Sequence, residues 1–384
     1  MNAFGQTICL SMIVKNEAHV IQRCVNSVRS TIDHWVIVDT GSTDGTQDVI
    51  RRAMADIPGL LVERPWVDFA SNRNEALSLA RTQADYSLII DADDELIVPP
   101  DFVVPELHDI AYRFEIVDDQ TRYWRNHLLN NQIDWHYRGV VHEFLECSDR
   151  RAVPTSLLKI RRGKDGARHL DRATARRMIA VLEEALTTET DPFMIARYTF
   201  YLANAYHEAS EFRKSMEFHL KRADQGYWDE EIYVALLLAA DAMERLDEPE
   251  GAILTLYDRM IPIRPERAEA RLGASRYCRR KGHYAAGYRY AATGVDLVLP
   301  SDGISLNPWV YSFGVREELA VNAFHLGQCG VCLYNCNEIL GQSNIPDAVR
   351  KRVHGLARRA LTQMVDPLWG CRQSRYSLGY APSW

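Results

Sequence analysis

The sequence lacks the features that define several large classes of protein. Among its 384 residues no apolar run approaches the roughly 18 to 20 residues that span a membrane. Residues 1–7 do not show the basic and then apolar pattern of a signal peptide. The eight cysteines are too few and too scattered for a disulfide scaffold. We therefore expect a cytoplasmic protein in a reducing compartment.

Positive charge and two nucleotide-binding motifs are also lacking. The formal net charge is −7, so the chain has no overall basic field and nucleic acid is not expected as a partner. The chain contains neither the Gly-x-Gly-x-x-Gly motif of dinucleotide folds nor a Gly-Lys-Ser/Thr phosphate loop. These absences disfavour dehydrogenases and ATPases. An apolar fraction of 47% is nevertheless typical of a folded protein, and the length allows two or three domains.

The first hundred residues alternate between strand and helix patterns. Apolar runs at 8–14, 35–38, 60–62 and 86–90 predict buried strands, and amphipathic stretches between them predict helices, the first of which opens at 15–17. This alternation is typical of an α/β domain with a mostly parallel sheet. Ligands bind such sheets at the carboxyl ends of the strands. Asp39 and Asp91 both follow strands, so we expect them to face one crevice.

Residues 88–96 read Leu-Ile-Ile-Asp-Ala-Asp-Asp-Glu-Leu, an apolar run that ends in clustered carboxylates. A divalent cation relieves the repulsion within such a cluster, and hard oxygen ligands suit Mg²⁺ or Mn²⁺. The Asp-x-Asp pair Asp91 and Asp93 therefore predicts a site for a metal and a diphosphate. A solvated turn or a helix cap is the structural alternative.

Four ordered motifs carry a family resemblance. They are Ser-Met-Ile-Val-Lys-Asn-Glu at 11–17, Val-Ile-Val-Asp-Thr-Gly-Ser-Thr-Asp-Gly-Thr at 36–46, Asn-Arg-Asn-Glu-Ala-Leu at 72–77 and Ile-Asp-Ala-Asp-Asp-Glu at 90–95. In order and spacing the set resembles family 2 glycosyltransferases of the GT-A fold, including bacterial lipopolysaccharide-core transferases. The resemblance implies a metal-dependent transferase, using Mn²⁺ or Mg²⁺, that takes its sugar from a UDP- or GDP-sugar donor.

The resemblance also implies roles for individual residues. Asp39 would hydrogen-bond the nucleobase, Arg73 would lie against the base or the diphosphate, and Asp91 would lie near the ribose and the metal. Asp93 would bind the metal itself. Four further residues of the motifs are expected to line the donor: Val14, Asn16, Glu17 and Ala92. The alternatives are a helix cap for Asp39 and a surface ion pair for Arg73.

Residues 137–145, Tyr-Arg-Gly-Val-Val-His-Glu-Phe-Leu, resemble the end of the catalytic domain in the same group. His142 is a candidate for completing the metal shell. Glu143 is a candidate general base, because an inverting transferase needs a carboxylate to accept the proton of the attacking hydroxyl. A hydrogen-bonded structural pair is the alternative for these two residues. Candidates for acceptor contact are Trp124, Arg125, His127, Trp135, His136 and Arg138.

The C-terminal half shows a helical repeat. Residues 161–166 are the predicted linker, which divides the chain into a GT-A domain at 1–165 and a helical domain at 166–384. Small and aromatic residues recur at positions 8, 11 and 20 of a tetratricopeptide (TPR)-like unit: Ala203, Tyr206 and Ser215; Ala240, Met243 and Ala252; Ala274, Tyr277 and Ala286; Ala320, Ala323 and Cys332. Three to five repeats in an all-α solenoid are predicted.

The predicted function is transfer of a sugar to a glycan, lipid-linked or protein acceptor. The repeat domain has three candidate roles, namely dimerisation, acceptor presentation and capping of the catalytic domain, and peripheral membrane association is left open. One alternative function is a non-catalytic sugar-nucleotide-like domain that supports a TPR interaction scaffold. A nucleotidyltransferase is another, although it would carry a glycine-rich basic loop after the first strand, where this chain has 14–17.

Overall fold

A computed structural model describes residues 1–118, 121–167 and 174–365. The chain forms two compact units, residues 1–190 and residues 191–384. The division predicted from the sequence, between 165 and 166, stays a prediction. Each unit has its own hydrophobic core.

The first unit is built on an eight-stranded mixed sheet of order β3-β2-β1-β4-β7-β6-β10-β5. Its first four strands run parallel, as predicted: β1 (Ile8–Val14), β2 (His34–Asp39), β3 (Gly59–Glu63) and β4 (Tyr86–Ile89). The remaining strands are β5 (Glu95–Ile97), β6 (Ala111–Asp118), β7 (Thr121–Asn130) and β10 (Thr155–Arg161). A separate two-stranded sheet pairs β8 (His136–Arg138) with β9 (Phe144–Glu146).

The parallel strands are joined by the helices α1 (Ile21–Val28), α2 (Thr46–Ala53) and α3 (Phe69–Arg81), and α4 (Thr174–Thr188) follows the sheet. The prediction that a helix opens at 15–17 is wrong, because α1 begins only at Ile21. Asn16 has a φ of 57°, in the left-handed region that a helix does not use. Residues 15–20 therefore form a loop at the carboxyl end of β1.

The second unit is helical. Its helices are α5 (Pro192–Glu208), α6 (Phe212–Ala223), α7 (Asp229–Arg245), α8 (Glu250–Met260), α9 (Glu269–Arg280), α10 (Tyr284–Ala292), α11 (Val315–His325), α12 (Cys329–Leu340) and α13 (Asp347–Val365). Four antiparallel-type pairs and a closing helix match the predicted TPR-like architecture, which confirms the fold class. Among the described residues, no helix combines the length and the apolar character that crossing a membrane requires.

The small-residue pattern is confirmed at the first repeat position and shifts at the last. Position 8 is fully buried in all four pairs, at Ala203, Ala240, Ala274 and Ala320. At position 20, Ser215 and Cys332 are buried, but Ala252 is exposed and Ala286 is half-buried. In these two pairs the next residue faces the core instead: Ile253 is fully buried, and the carbonyl of Gly287 accepts a hydrogen bond from Ser275 at 2.8 Å. A one-residue rotation of α8 and α10 accounts for the shift.

This shift predicts unequal effects of two neighbouring substitutions. Ile253→Ala should destabilise the α7–α8 pair by about 2–5 kcal/mol, because it leaves a cavity among fully packed side chains. Ala252→Ser, at an exposed position, should change stability by less than about 0.5 kcal/mol. Hydrogen exchange of the α7 and α8 amides measures both. Equal losses of stability in the two variants would instead show that Ala252 faces the core.

Candidate active site

Asp39 ends β2 with a fully buried side chain. Its Oδ1 accepts hydrogen bonds from the backbone N–H groups of Gly41 at 2.8 Å and Ser42 at 2.7 Å, which fold the chain into a tight turn. Gly41 has a φ of 100°, which favours glycine there. The other oxygen, Oδ2, is buried and has no hydrogen-bond partner among the described residues. A buried acceptor without a donor is costly, so it is suited to a donor that a ligand brings.

The loop after β1 is tied to the loop after β2. Asn16 makes two hydrogen bonds there, each 2.8 Å long. Its N–H donates to Ser42 Oγ, and its Oδ1 accepts from the N–H of Thr43. The N–H of Glu17 donates to Thr46 Oγ1 at 2.8 Å. Asp44 accepts from the N–H of Ala18 at 3.0 Å. These bonds hold Asn16 and Glu17, which are predicted to line the sugar donor, beside the turn at Asp39.

Arg73, on α3, lies between two carboxylates. Its Nη2 contacts Asp91 Oδ1 at 2.6 Å, its Nε contacts Glu143 Oε1 at 2.8 Å, and its guanidinium lies over the ring of Tyr137, 5.6 Å from the centroid. The side chains of Arg73 and Glu143 are each only 13% exposed. Although burial opposes the charge, Asp91, Tyr137 and Glu143 hold the pKa of Arg73 above its ordinary value.

The motif around Arg73 explains how residues distant in sequence meet. The side-chain amide of Asn74 bonds both backbone groups of Tyr137, donating to its carbonyl at 2.8 Å and accepting from its N–H at 2.6 Å. Asn72 braces the start of α3 by accepting from the N–H of Val67 and donating to the carbonyl of Pro65. Asn74 therefore ties α3 to β8, the strand that leads to the loop with Glu143, and Asn72 holds the segment before α3.

The acidic turn after β4 is crowded. Asp94 is buried, and its Oδ1 accepts from the N–H of Gly163 at 2.9 Å. Burial, with Asp91 and Asp93 close by, raises the pKa of Asp94 to about 7. Burial also raises the pKa of Glu17 to about 7, and Asp93 adds to the rise. The mutual repulsion that the sequence predicted for this cluster is therefore present in the fold.

Residues 163–167, which we call the strap, lie against this turn. Arg23 donates to both carboxylate oxygens of Asp165 at 2.9 Å and to the carbonyl of Asp93 at 2.7 Å. A Cβ on Gly163 would lie 2.0 Å from that carbonyl, and one on Gly166 would lie 2.7 Å from Asp93 Oδ2. Only glycine allows the strap to approach this closely.

The family resemblance implies a divalent metal, and the oxygen ligands present here suit one kind of metal site. The carboxylates of the acidic turn are hard oxygen donors, which suit Mg²⁺ or Mn²⁺. Among the described residues, however, no three His, Cys, Asp or Glu side chains are gathered to hold a metal ion. Mg²⁺ commonly binds through one or two carboxylates together with substrate phosphates and water. The residues therefore fit a metal site that the donor's diphosphate completes, and His142 as a ligand beside Asp93 stays a prediction.

The other predicted residues lie in varied surroundings. Val14, at the end of β1, and Ala92, in the turn after β4, have side chains buried in the core, and the carbonyl of Val14 accepts from the N–H of Thr40 at 2.9 Å. His142 is exposed and has a φ of 50°, in the loop between β8 and β9. Glu143 follows it, so the loop places these two side chains in different environments.

The candidate acceptor residues separate into two groups. Trp135 lies in the core, where its Nε1 donates to the carbonyl of Ile110 at 3.1 Å, and its burial disfavours a contact with an acceptor. His127 bonds the carbonyl of Ile89 through Nδ1 at 2.6 Å, and burial lowers its pKa to about 4. Its Nε2 is buried without a hydrogen-bond partner among the described residues. Trp124, by contrast, is 52% exposed on β7.

Sequence reasoning missed three contributors, namely Tyr137 beneath Arg73, Arg23 and the strap. The strap coincides with the predicted linker at 161–166, which was identified by its charged and glycine-containing composition. The pair Gly163 and Gly166, spaced by three around Asp165, is the signal that could have indicated a close backbone approach.

Comparison with known proteins finds similarities in the first unit. Residues 9–169 match the sequence model of the family described as Glycosyl transferase family 2. A TPR repeat-containing protein of Synechococcus elongatus is 38% identical over 92 residues, which are 24% of this chain and 21% of that protein. An uncharacterized glycosyltransferase of Rickettsia felis is 35% identical over 91 residues, which are 24% of this chain and 30% of that protein. The matched stretch is thus less than a third of either relative.

Among solved structures, the TPR protein TTC0263 of Thermus thermophilus is similar with 16% sequence identity and a TM-score of 0.33. The similarity covers 48% of this chain and 91% of that one.

The strap contacts predict a local effect of Arg23→Gln. The substitution removes the paired bonds to Asp165, which are about half exposed and so contribute roughly 1 kcal/mol or less. Exchange of the Gly163 and Ala167 amides, which donate to Asp94 and Glu17, should rise up to about fivefold. Arg51→Gln, which removes an exposed pair with Asp48, is the control. Unchanged exchange would show that Arg23 does not hold the strap.

Proposed function

We propose that residues 9–169, which match the sequence model of glycosyl transferase family 2, transfer a sugar from a nucleoside diphosphate donor to a hydroxyl of a glycan, lipid-linked or protein acceptor. One observation carries the proposal. The buried oxygen of Asp39 that has no partner among the described residues and the acidic turn of Asp93 belong to the same edge of the sheet, because β2 and β4 both run parallel to β1. The proposed base-recognition group and the proposed diphosphate site would therefore lie on one side of the sheet.

Donor recognition would begin at Asp39. Its Oδ1 is occupied by the turn, so Oδ2 is the atom left to accept an N–H from a uracil or guanine ring. Arg73 would approach the diphosphate. Its two named ion pairs use two of the five guanidinium donors, which leaves three for phosphate oxygens. Because Asp91 and Glu143 fix its position, little side-chain freedom is lost when it binds.

Asp93 would hold the metal together with the donor's phosphate oxygens, and the acidic turn supplies the negative charge that attracts a cation. When bound, such a cation stabilises the charge that develops on the leaving diphosphate. The carboxylates would also keep the strap in place through the N–H groups of Gly163 and Ala167. The carboxylates that hold the strap, Asp94 and Glu17, are therefore different from the proposed metal ligand Asp93.

Glu143 would act as the general base. Arg73 holds its Oε1, and no hydrogen bond joins its Oε2 to another described residue. Oε2 would take the proton of the acceptor hydroxyl as the hydroxyl oxygen bonds to the anomeric carbon. The bond from that carbon to the diphosphate oxygen breaks at the same time, and its electron pair leaves with the diphosphate. Direct displacement of this kind inverts the anomeric centre.

Donor binding tests the proposal. The protein is titrated with UDP- and GDP-sugars in the presence of Mn²⁺ while its melting temperature is followed. One donor should stabilise it, by about 2.7 kcal/mol at a hundred times the dissociation constant. Asp93→Asn should lose the Mn²⁺-dependent part of this stabilisation. Asp101→Asn is the matched control, since Asp101 is exposed at a φ of 59° that asparagine tolerates.

Three outcomes would contradict the assignment. Equal stabilisation of Asp93→Asn and the unsubstituted protein would remove Asp93 from the metal site. No stabilisation by any donor would favour a non-catalytic scaffold. A preference for free nucleoside triphosphates would favour a nucleotidyltransferase. The cytoplasmic location, dimerisation through the repeats and peripheral membrane association stay predictions.

Replacing Glu143 by Gln separates a base from an orienting residue. Glutamine keeps the acceptor oxygen for Arg73 but cannot take a proton. The kcat for nucleoside diphosphate release from the stabilising donor should fall about 10²- to 10⁴-fold, with the donor KM almost unchanged. Glu106→Gln, at an exposed position outside the candidate site, should leave kcat unaltered. A higher donor KM with unchanged kcat would show that Glu143 only orients Arg73.

A further inference from the structure

The second unit contains a cavity of about 500 Å³ between α9, α11 and α13. This volume falls within the roughly 300–1,000 Å³ of pockets that hold ligands in other proteins. Arginines line two of its sides, three from α9 and two from α13, while α11 contributes two glutamates. Val321 and Leu356 supply its apolar surface.

The glutamates are buried and hold arginines from both sides. Glu318 accepts from Arg279 at 2.8 Å and from Arg276 at 3.3 Å. Glu317 accepts from Arg352 on α13, at 2.5 and 2.8 Å. A buried carboxylate that contacts a half-exposed guanidinium orients it without using all its donors. Each of these arginines uses at most two of five N–H donors in these bonds, so at least three remain.

Positive charge is in excess. Five arginines face two glutamates in the lining, and among the described residues outside it only Glu244 adds an ion pair, to Arg280. Arg359 has no carboxylate partner among the described residues, and its guanidinium lies over the ring of Phe324, 5.3 Å from the centroid. A guanidinium held on an aromatic face keeps its edge free for an anion.

We propose that this cavity is a binding site for an acidic peptide segment, whose carboxylates would pair with the arginines of α9 and α13. The proposal does not rest on the transferase function, because it concerns only residues of the second unit. A single phosphate would need guanidiniums that converge on one point. Here they come from two different helices, three from α9 and two from α13, and an extended chain with several carboxylates can reach both groups.

The apolar lining supports a peptide among linear polyanions. Val321 lies on α11 and Leu356 on α13, so aliphatic surface is available next to the charged rows. An acidic peptide with aliphatic side chains would bury these groups together, whereas an anionic glycan offers no aliphatic side chain.

Fluorescence anisotropy of the full chain tests the site. The probe is a fluorescein-labelled hexapeptide of alternating glutamate and leucine, and its counterpart carries glutamine for glutamate. The acidic peptide should bind at least about tenfold more tightly than its counterpart, and added salt should weaken it. Arg359→Gln should reduce its affinity about tenfold without breaking an ion pair among the described residues. Arg358→Gln, an exposed neighbour on α13 outside the lining, should leave binding unchanged.

Several results would overturn the proposal. Equal affinity of the unsubstituted protein for the two peptides would overturn it, and this comparison does not depend on how stable the variants are. Equal loss in Arg358→Gln and Arg359→Gln would place binding elsewhere on α13. Tighter binding of inorganic pyrophosphate than of the acidic peptide would identify a site for a small phosphate ligand instead.

Discussion

The first unit depends on how it arranges carboxylates of like charge at one edge of a sheet. Two carboxylates about 4 Å apart repel each other by roughly 4 kcal/mol near a protein surface. The chain offsets this repulsion with two guanidiniums, Arg73 between Asp91 and Glu143, and Arg23 between Asp165 and the carbonyl of Asp93. Removing one partner of such an arrangement costs more than the pair contributes, because a partly buried charge is left alone. The arrangement therefore fixes α3, the acidic turn and the loop before β9 together.

Two aspartates near this edge differ in how much of their hydrogen-bonding capacity the fold itself uses. Asp44 accepts from the N–H and the hydroxyl of Thr46 and from the N–H of Ala18, so both of its oxygens serve the loop. Asp39 satisfies only one oxygen in the same way and leaves the other buried without a partner among the described residues. The turn uses only Oδ1 of Asp39, so Oδ2 is available to a ligand.

The features that follow from local pattern were predictable. Apolar runs gave the parallel strands β1 to β4, and their order then placed Asp39 and Asp91 at one edge, since parallel strands share their carboxyl end. Small residues at a constant offset gave the paired helices. The contact of Arg73 with Glu143 joins residues 70 positions apart, and it depends on Asn74 binding the backbone of Tyr137. No local periodicity encodes such a contact.

The strap also shows the limit of prediction from local sequence pattern. By composition, 161–166 is indistinguishable from a solvated linker, because charged residues and glycines are typical of both. Its glycines have a different physical reason: at Gly163 and Gly166 a Cβ would collide with Asp93. The need for glycine thus lies in what packs against the segment. Under the proposed function, a segment that contacts Asp93 so closely would also limit how a metal and a diphosphate reach that carboxylate, and the strap would then be part of the site.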